Sequence, residues 1–270
     1  MLFKKTLREL KQNFGQFFSL FILVVLATSM YAGFMADPIG GNAAGEKFHK
    51  DAALASVWIY GEGFEETALE KVRALSFTEA AQARTKITGS AVNQDGAELD
   101  IYLQRENLVN KPQTVAGEAF NPQDTDGIWI NRNFADEWDL SVGDAFTAEY
   151  GGVTFTKTVK GLVLSPEYEY MCASTDAETN FKNICYAYMD YDGFPVREYL
   201  MHQIENDKFT VEDLKKIDDF KEIEKRLSAL GLSLDFITKD KMLDAAREAT
   251  DEELSEFMPY TQIVARGIGG

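Results

Sequence analysis

The sequence predicts an α+β protein, in which one N-terminal transmembrane helix precedes a β-rich mixed extracytoplasmic domain with a helical insertion. Three observations predict this fold class. No charged residue occurs in the 25 positions between Lys11 and Asp37. Short apolar-polar alternations separated by turn residues fill most of the chain up to residue 204, which is typical of paired strands. From about residue 205, apolar residues recur every three or four positions, which indicates helices.

The N-terminal segment has the composition of a membrane anchor with a basic arm. Residues 1–11 are predicted to form a cytoplasmic amphipathic arm, and residues 12–36 a transmembrane helix. As a helix, 25 residues measure about 37 Å, enough to cross a hydrocarbon core of about 30 Å. The positive-inside rule places the arm in the cytoplasm and everything after Asp37 outside. The basic residues of this membrane-surface and coupling arm are Lys4, Lys5, Arg8 and Lys11.

A cleaved signal peptide is the alternative interpretation of this segment. The apolar run from Phe14 to Phe34 is longer than the roughly 7–15 residues of a signal-peptide core. No Ala-x-Ala spacing ends the run, although Ala32 and Gly33 are small enough to leave cleavage open. The pattern favours an uncleaved anchor.

A linker is predicted after the span, and strands and a helix are predicted in the first half of the domain that follows it. Residues 37–50 are Gly-rich and are predicted to be a linker, and residues 51–204 the α+β domain. Residues 54–61 are a strand candidate, and residues 65–75 have one apolar helical face. The segments TKITGSAV and AELDIYLQ are predicted to form a hairpin around Asp95-Gly96.

The second half of that domain continues with strands and one short helix. Residues 127–131 are a strand candidate, and Asn131 is a plausible N-cap of the helix that follows. Gly143 and Asp144 form a predicted structural turn into the next strand, and Gly151-Gly152 reverses the chain into another. NICYAYMDYD is the last predicted strand of the domain.

Residues 205–258 are predicted to be a helical insertion, which is either a partner-binding arm or a local core. Capping boxes occur at Thr210–Asp213 and Thr250–Glu253. LSLDFIT (232–238) is a short strand candidate, and residues 259–270 are predicted to hold a final strand. Between the caps, an apolar stripe consists of Val211, Leu214, Ile217, Phe220, Ile223, Leu227 and Leu230.

The charge of the chain excludes some classes of partner. Beyond residue 35 the sequence holds 23 Lys and Arg against 43 Asp and Glu, a net charge of −20. Nucleic acid and anionic lipid surfaces both require clustered basic residues, so the outer domain is not expected to bind either. Solubility accounts for the acidic surface.

The chain contains two cysteines, Cys172 and Cys185, on the predicted outer side. In an oxidising compartment we expect a disulfide that closes the loop between them, worth about 3 kcal/mol in the chain-entropy model. Two free thiols are the alternative in a reducing habitat.

Several tyrosines flank the cysteine loop, and they allow two interpretations. Tyrosines beside a polar loop tip can form a recognition surface, whereas alternate tyrosines on paired strands can instead cover a core. The residues of this possible recognition surface are Tyr168, Tyr170, Tyr186 and Tyr188, with Tyr191 nearby.

No catalytic constellation is evident, so no enzyme activity, cofactor or metal is expected. The sequence has no P-loop, no G-x-S-x-G elbow and no H-E-x-x-H pair. His49 and His202 are its only histidines. Pairs such as Glu252/Glu253 lie where carboxylates cap helices or solubilise a surface.

The order of these motifs resembles the start of an FtsX-like, MacB-like ABC transporter permease. The arm LFKKTLRELKQN and its span resemble that family's N-terminus, and EETALEKVRAL resembles the helix after its first strand. GIWINRNFADEWDLSVGDAFT resembles its strand, helix, Gly-Asp turn and strand, and KTVKGLVLSPEY the strand that follows. MPYTQIV resembles the domain's next strand after an inserted helical segment. Gly143 and Asp144 match the family's structural turn and carry no catalytic role.

The resemblance implies a dimeric permease that is driven by a separate cytoplasmic ATPase subunit. The cargo of such a permease is a lipid, lipoprotein, peptide or antibiotic, or its outer domain regulates a cell-wall hydrolase. The family follows its outer domain with at least three more spans, so the chain is expected to be a fragment. The alternative is a free-standing membrane-anchored extracellular binding protein, and an anchored cell-wall hydrolase is the third hypothesis.

Overall fold

The computed structural model describes residues 8, 11–168, 181–214, 238–255 and 257–268. The chain divides into two compact units, Met1–Asp51 and Ala52–Gly270.

The first unit is dominated by one long helix, α1 (Phe14–Asp51). Its segment Phe14–Phe34 is long and apolar enough to cross a membrane, and none of it is buried within the protein. Residues 37–50, which the sequence predicts to be a linker, continue this helix to Asp51. Extending an existing helix adds one hydrogen bond for each residue fixed other than Pro38, and the helix formers at 43–44 and 46–47 offset the unfavourable glycines at 40, 41 and 45.

The second unit is a β-rich mixed domain, as the sequence predicts. Its strands are β1 (Val57–Phe64), β2 (Thr78–Ala91), β3 (Ala97–Gln104), β4 (Gln113–Gly117), β5 (Gly127–Asn131), β6 (Ala145–Tyr150), β7 (Val153–Leu164), β8 (Ile184–Asp190) and β9 (Tyr260–Gly267). Its helices are α2 (Glu66–Arg73), α3 (Arg132–Glu137), α4 (Val196–Glu205), α5 (Val211–Leu214), α6 (Lys239–Glu248) and α7 (Asp251–Ser255), with a 3₁₀ turn at Tyr191–Gly193.

Within the described residues the strands pair in the order β1-β9-β2-β3-β8-β5-β7-β4, and β6 joins β2 to β7. The long strand β2 changes partner along its length. Its residues Thr78 to Arg84 pair with β9, whereas Thr85 to Ala91 pair with β3. We call β1, β9 and the first half of β2 the three-stranded sheet. The second half of β2 and the remaining strands form the large sheet.

Each sheet buries one face against a helix. In the large sheet, alternate residues such as Leu99, Ile101 and Ile130 enter the main core, which Phe134 of α3 completes. The Asn131 side chain caps α3 by accepting a 2.9 Å hydrogen bond from the Phe134 N–H, as the sequence predicts. On the three-stranded sheet, the buried face packs against α2 through its residue Leu69, together with Ala81, Ala83, Ile263 and Ala265.

The described helices near the C-terminus share a smaller apolar core. Leu200 of α4, Met242 of α6 and Leu254 of α7 are members of this cluster. The predicted capping box at α7 is formed in both directions. The Glu253 N–H donates to Thr250 Oγ1 at 3.2 Å, and the Thr250 N–H donates to Glu253 Oε2 at 2.7 Å.

Three elements were missed by sequence reasoning. The first half of β2 reads TEAAQAR, whose residues favour helix, yet pairing with β9 makes it a strand. The edge strand β4 is short and lacks a periodic pattern, and α4 begins directly after Pro195. The strand candidate at 232–238 lies outside the described residues except for Thr238.

Candidate functional site

A buried ion pair between Arg84 and Glu167 is the centre of the candidate site. Arg84 Nη1 and Nη2 donate to the two Glu167 carboxylate oxygens at 2.6 and 2.7 Å. The side chains are 1% and 10% exposed, respectively. Paired N–H···O bonds of this kind fix both position and orientation, because the guanidinium and the carboxylate are planar and match in width.

Two strands of the three-stranded sheet add hydrogen bonds to this pair. Trp58 of β1 donates from Nε1 to Glu167 Oε1 at 2.7 Å. Gln262 of β9 accepts from Arg84 Nε at 2.8 Å. Glu167 therefore accepts three hydrogen bonds, and the buried charges of the pair are well satisfied.

The pair borders an aromatic cluster on the large sheet. Arg84 lies 4.3 Å from the ring centroid of Tyr102, and Tyr102 stacks on Tyr188 of the neighbouring strand β8. Tyr168 stacks on Tyr186 with ring centroids 4.5 Å apart. Tyr102, Tyr186 and Tyr188 face the same side of β3 and β8. Their rings form a continuous apolar surface that packs against the 165–168 segment.

The hydroxyl groups of this cluster are joined in a defined direction. Tyr168 donates to Asp100 Oδ2 at 2.7 Å, so Tyr102 donates to Tyr168 across their 2.8 Å contact. Asp100 also accepts from Thr88 at 2.7 Å and pairs with Lys86 at 2.8 Å. Each carboxylate in the site therefore has its own cation.

Ser165 fastens the start of the same segment to β8. Its N–H donates to the Tyr186 hydroxyl at 2.9 Å, and its Oγ accepts from Tyr188 at 2.6 Å. The Glu167 N–H donates to the same Oγ at 3.2 Å. Residues 165–168 are thus held to the large sheet by hydrogen bonds at both ends.

The electrostatics of the site favour fixed protonation states. Burial raises the pKa of Tyr102, Tyr168 and Tyr188 well above the usual tyrosine range, and raises that of Tyr186 to about 12. Burial disfavours the charged form of Arg84, but hydrogen bonds with Glu167 and the charge of Glu167 outweigh it and raise its pKa. These hydroxyls remain protonated at neutral pH, so they serve as hydrogen-bond donors rather than as bases.

This arrangement holds residues 165–168 in place on the large sheet. Among the described residues, no three His, Cys, Asp or Glu side chains are grouped to bind a metal ion. His202 lies on α4 with its ring against Gly152, far along the chain from the buried pair. The ion pair, the hydrogen bonds and the stacked rings hold residues 165–168 against the large sheet.

No family model and no curated protein matches this sequence. Two solved structures align with most of the chain. One is the extracellular domain of the noncanonic ABC-type transporter YknZ from Gram-positive bacteria, with a TM-score of 0.39 and 10% identity, covering 79% of this chain and 83% of that one. The other is the periplasmic region of MacB from Actinobacillus actinomycetemcomitans, with a TM-score of 0.31 and 13% identity, covering 72% and 92%. Both TM-scores lie below 0.5, so the likeness by itself supports no conclusion about function.

The predicted tyrosine recognition surface is corrected by the structure. Tyr186 and Tyr188 are 1% and 0% exposed, Tyr191 is also buried, and Tyr168 is half-buried. Their rings pack on one another because adjacent strands bring them to one face, so they cover a core as the alternative interpretation has it. Tyr170 lies outside the described residues.

The predicted disulfide is not found. Cys185 is a free thiol and is completely buried in the main core on β8. Burial raises the pKa of this thiol, which keeps it protonated and unreactive. Cys172 lies outside the described residues. Tyr168 and Phe181, the described residues on either side of 169–180, both pack against the aromatic cluster.

The remaining predicted site residues are placed as follows. Arg8 and Lys11 are exposed, whereas Lys4 and Lys5 lie outside the described residues. The Gly143-Asp144 turn is present: Asp144 Oδ2 accepts from the Ser141 N–H at 2.8 Å, and Gly143 has a φ of 99°.

Two concave regions lie beside the helices of the second unit. A polar cleft of about 990 Å³ contains Arg105, Lys157 and Arg197. All three cations are already engaged within the chain, by Asp192, by the Thr125 carbonyl and by Asp251, respectively. An apolar groove of about 350 Å³ lies between α4, α6 and α7.

Sequence reasoning missed Arg84, Glu167, Trp58 and Gln262. One signal was available: Arg84 is the single charged residue in the run AAQART, directly beside the predicted strand that starts at Thr85. Its partner lies 83 positions away, and nothing in the local pattern indicates that pairing.

Proposed function

We propose that this chain is the N-terminal span and outer domain of an ABC transporter permease. It couples ATP hydrolysis by a separate cytoplasmic subunit to the export or extraction of a lipid, lipoprotein, peptide or antibiotic, or to the regulation of a cell-envelope partner. Two observations support this function: the order of the motifs in the sequence and the continuity of the helix α1.

The unbroken helix α1 is the observation that supports a coupling role. Its 38 residues measure about 57 Å, of which the 21 residues Phe14–Phe34 account for about 31 Å. That apolar part matches a hydrocarbon core, and the helix then continues for 17 residues to Asp51. A continuous helix can pass movement from a membrane span to a domain joined at its end, and Pro38, which removes one N–H from the helix, marks the point at which this helix bends most easily.

The basic arm gives the proposed orientation and the proposed contact with the ATPase. The residues before Lys11 carry the positive charge that retains this end in the cytoplasm. A cytoplasmic ATPase can then bind the arm directly, and a second copy of the permease completes the transport unit. In this orientation the acidic domain beyond Asp51 lies outside the cell.

A co-purification experiment tests this function. The full-length gene product is purified in nanodiscs from its native membrane, and we expect a P-loop ATPase subunit to co-purify. Deletion of residues 1–11 is expected to abolish the association. As a matched control, the sole acidic residue of the arm is neutralised by Glu9→Gln, which keeps every basic residue and is expected to preserve the association.

Absence of any ATPase from the purified complex would contradict the permease function. It would favour a free-standing membrane-anchored extracellular binding protein, which needs no cytoplasmic partner. Retention of the ATPase after deletion of the arm would support a permease and move the coupling contact elsewhere.

A further inference from the structure

The two sheets of the second unit meet along β2. Within the described residues β2 is the strand that belongs to both, and its partner changes between Arg84 and Thr85. The three-stranded sheet begins six residues after α1 ends, at Val57. The residues between α1 and β1 are also bonded to the loop after β3, because the Asn110 and Lys111 N–H groups donate to the Ala53 and Ala52 carbonyls. A force applied through α1 therefore reaches both sheets, and what holds the sheets together decides whether they move as one.

Glu167 is bonded to both sheets at this junction. It follows β7 of the large sheet, and Ser165 and Tyr168 fasten its segment to β8 and β3. Its carboxylate receives Arg84 at the point where β2 changes partner, and Trp58 from β1. Arg84 in turn donates to Gln262 of β9. Glu167 thus connects the large sheet directly to β1 and β2, and through Arg84 to β9.

Other side-chain bonds also cross the junction. Gln82 Nε2 donates to Gln104 Oε1 of β3 at 3.1 Å, and Arg105, which follows β3, donates to the Tyr260 hydroxyl of β9 at 3.2 Å. Thr85 Oγ1 donates to the Pro259 carbonyl at 2.9 Å, and the Lys86 N–H donates to Thr261 Oγ1 at 3.0 Å. Both are single bonds between neutral groups, whereas the Arg84–Glu167 contact is bidentate, charged and buried. Charge-assisted bonds are roughly twice as strong as neutral ones, and removing one partner of a buried pair leaves an unpaired charge.

We infer that Glu167 is a brace that fixes the angle between the three-stranded sheet and the large sheet. When the brace is intact, the two sheets move as one body. When it is released, β2 remains as the covalent link, and the remaining single hydrogen bonds, such as Gln82–Gln104 and Thr85–Pro259, resist rotation of the sheets about the point where β2 changes partner less strongly. The use of this brace in transport coupling rests on the proposed function, whereas the brace itself does not.

Spin-label distances across the junction test the inference in the full chain in nanodiscs. The exposed residues Lys71 of α2 and Thr154 of β7 are replaced by cysteine in a Cys172→Ser background and labelled. Glu167→Gln is expected to shift or broaden the distance distribution between the labels. We also expect hydrogen exchange in β1 and β9 to become roughly 100-fold faster, while the central strands β3 and β8 remain protected.

Two matched controls separate a brace from a general loss of stability. Asp136→Asn breaks an ion pair with Arg132 that lies within α3, and it is expected to leave the distance unchanged. Trp58→Phe removes one indole donor to Glu167, and is expected to broaden the distance to a smaller extent. Trp138→Phe removes an indole bond to the Lys182 carbonyl and is expected to have no effect.

An unchanged distance in folded Glu167→Gln protein would overturn the inference. If that variant does not fold, Trp58→Phe decides, because it keeps both charges, and an unchanged distance there would also overturn it. Equal acceleration of exchange in β1, β9, β3 and β8 would show that the sheets open together and that no brace separates them. None of these outcomes depends on an ATPase, so the permease function and the brace can fail independently.

Discussion

At the scale of single residues, Gly152 shows how one position links two parts of the domain. Gly151 and Gly152 reverse the chain between β6 and β7, with φ values of 59° and 90°. A Cβ atom on Gly152 would lie 2.0 Å from Cε1 of His202 on α4. Gln203 of the same helix donates to the Gly151 carbonyl at 2.8 Å. The turn is therefore a docking point for α4 as well as a reversal of the chain.

Replacing this glycine is expected to destabilise the domain more than replacing a glycine of similar backbone. Gly143 has a φ of 99°, and a Cβ there would meet nothing within 4 Å. Gly143→Ala should lower the free energy of unfolding by about 1 kcal/mol through backbone strain alone. Gly152→Ala should lower it by a further 1–3 kcal/mol or so, because the methyl group overlaps the His202 ring.

Urea denaturation of the two variants measures this difference. His202→Ala combined with Gly152→Ala should recover part of the loss, since it removes the overlapping ring. Equal destabilisation by the two glycine substitutions would show that the contact with α4 contributes nothing.

Asp190 is a second informative residue, because its environment opposes its charge. It ends β8 and is buried. Burial, followed by repulsion from Asp192, raises the pKa of Asp190 to about 6. Since the folded state holds this proton more tightly than the unfolded state does, Asp190 reduces stability as the pH rises from about 4 to about 6.

Asp190→Asn is therefore expected to stabilise the protein at pH 7.5 and to have little effect at pH 4. A pKa raised by about two units corresponds to at most about 3 kcal/mol, so a gain of about 1–3 kcal/mol is expected. Urea denaturation of the variant and the natural protein at both pH values measures it. A gain of the same size at both pH values would show that the carboxyl group does not titrate as described.

At the scale of elements, the apolar side chains of the first part of α1 are exposed, so contacts within the protein do not explain why they are apolar. Large apolar side chains such as Phe21, Leu23 and Leu26 are 58–64% exposed. In water this exposure would be unfavourable, at about 25 cal/mol per Å² of apolar surface. A lipid bilayer removes that cost, so the segment Phe14–Phe34 is suited to crossing a membrane.

Placing charges in the middle of this segment is expected to prevent its insertion. Each arginine at a helix centre costs about 2.5–3.5 kcal/mol, so Val24→Arg with Val25→Arg should cost about 5–7 kcal/mol. Alkaline extraction of membranes measures the loss as protein released into the supernatant. Val24→Leu with Val25→Leu is the matched control and should stay in the membrane. Retention of the arginine variant would contradict the assignment of a span.

At the scale of the whole molecule, the second unit combines an acidic exterior with charges that are paired in its interior. The chain carries a net charge of −17. Arg84 nevertheless lies buried, because Glu167 neutralises it and Gln262 and Trp58 complete the hydrogen bonds of the pair. Long-range pairing of this kind joins segments that are far apart in sequence and makes two sheets behave as one domain.

Much of this organisation follows from the sequence alone. The candidate span follows from the sequence because a bilayer requires about 20 apolar residues in succession, and Phe14–Phe34 forms a helix of that length and composition. The β2–β3 hairpin follows from alternation on both sides of Asp95-Gly96, and the helix caps at Asn131 and Thr250 follow from side chains that bond to nearby N–H groups. In each case the interaction that decides the structure lies within a few residues, or in the solvent.

The tertiary structure decided the rest. Residues 78–84 became a strand because β9, nearly 180 positions later, pairs with them. Tyr186 and Tyr188 became core residues because β3 and the 165–168 segment cover them, and Arg84 found its carboxylate 83 positions away. Local sequence determines local hydrogen bonds and periodicity, whereas strand pairing and the burial of polar groups depend on which distant segments meet, and that is settled only when the chain folds.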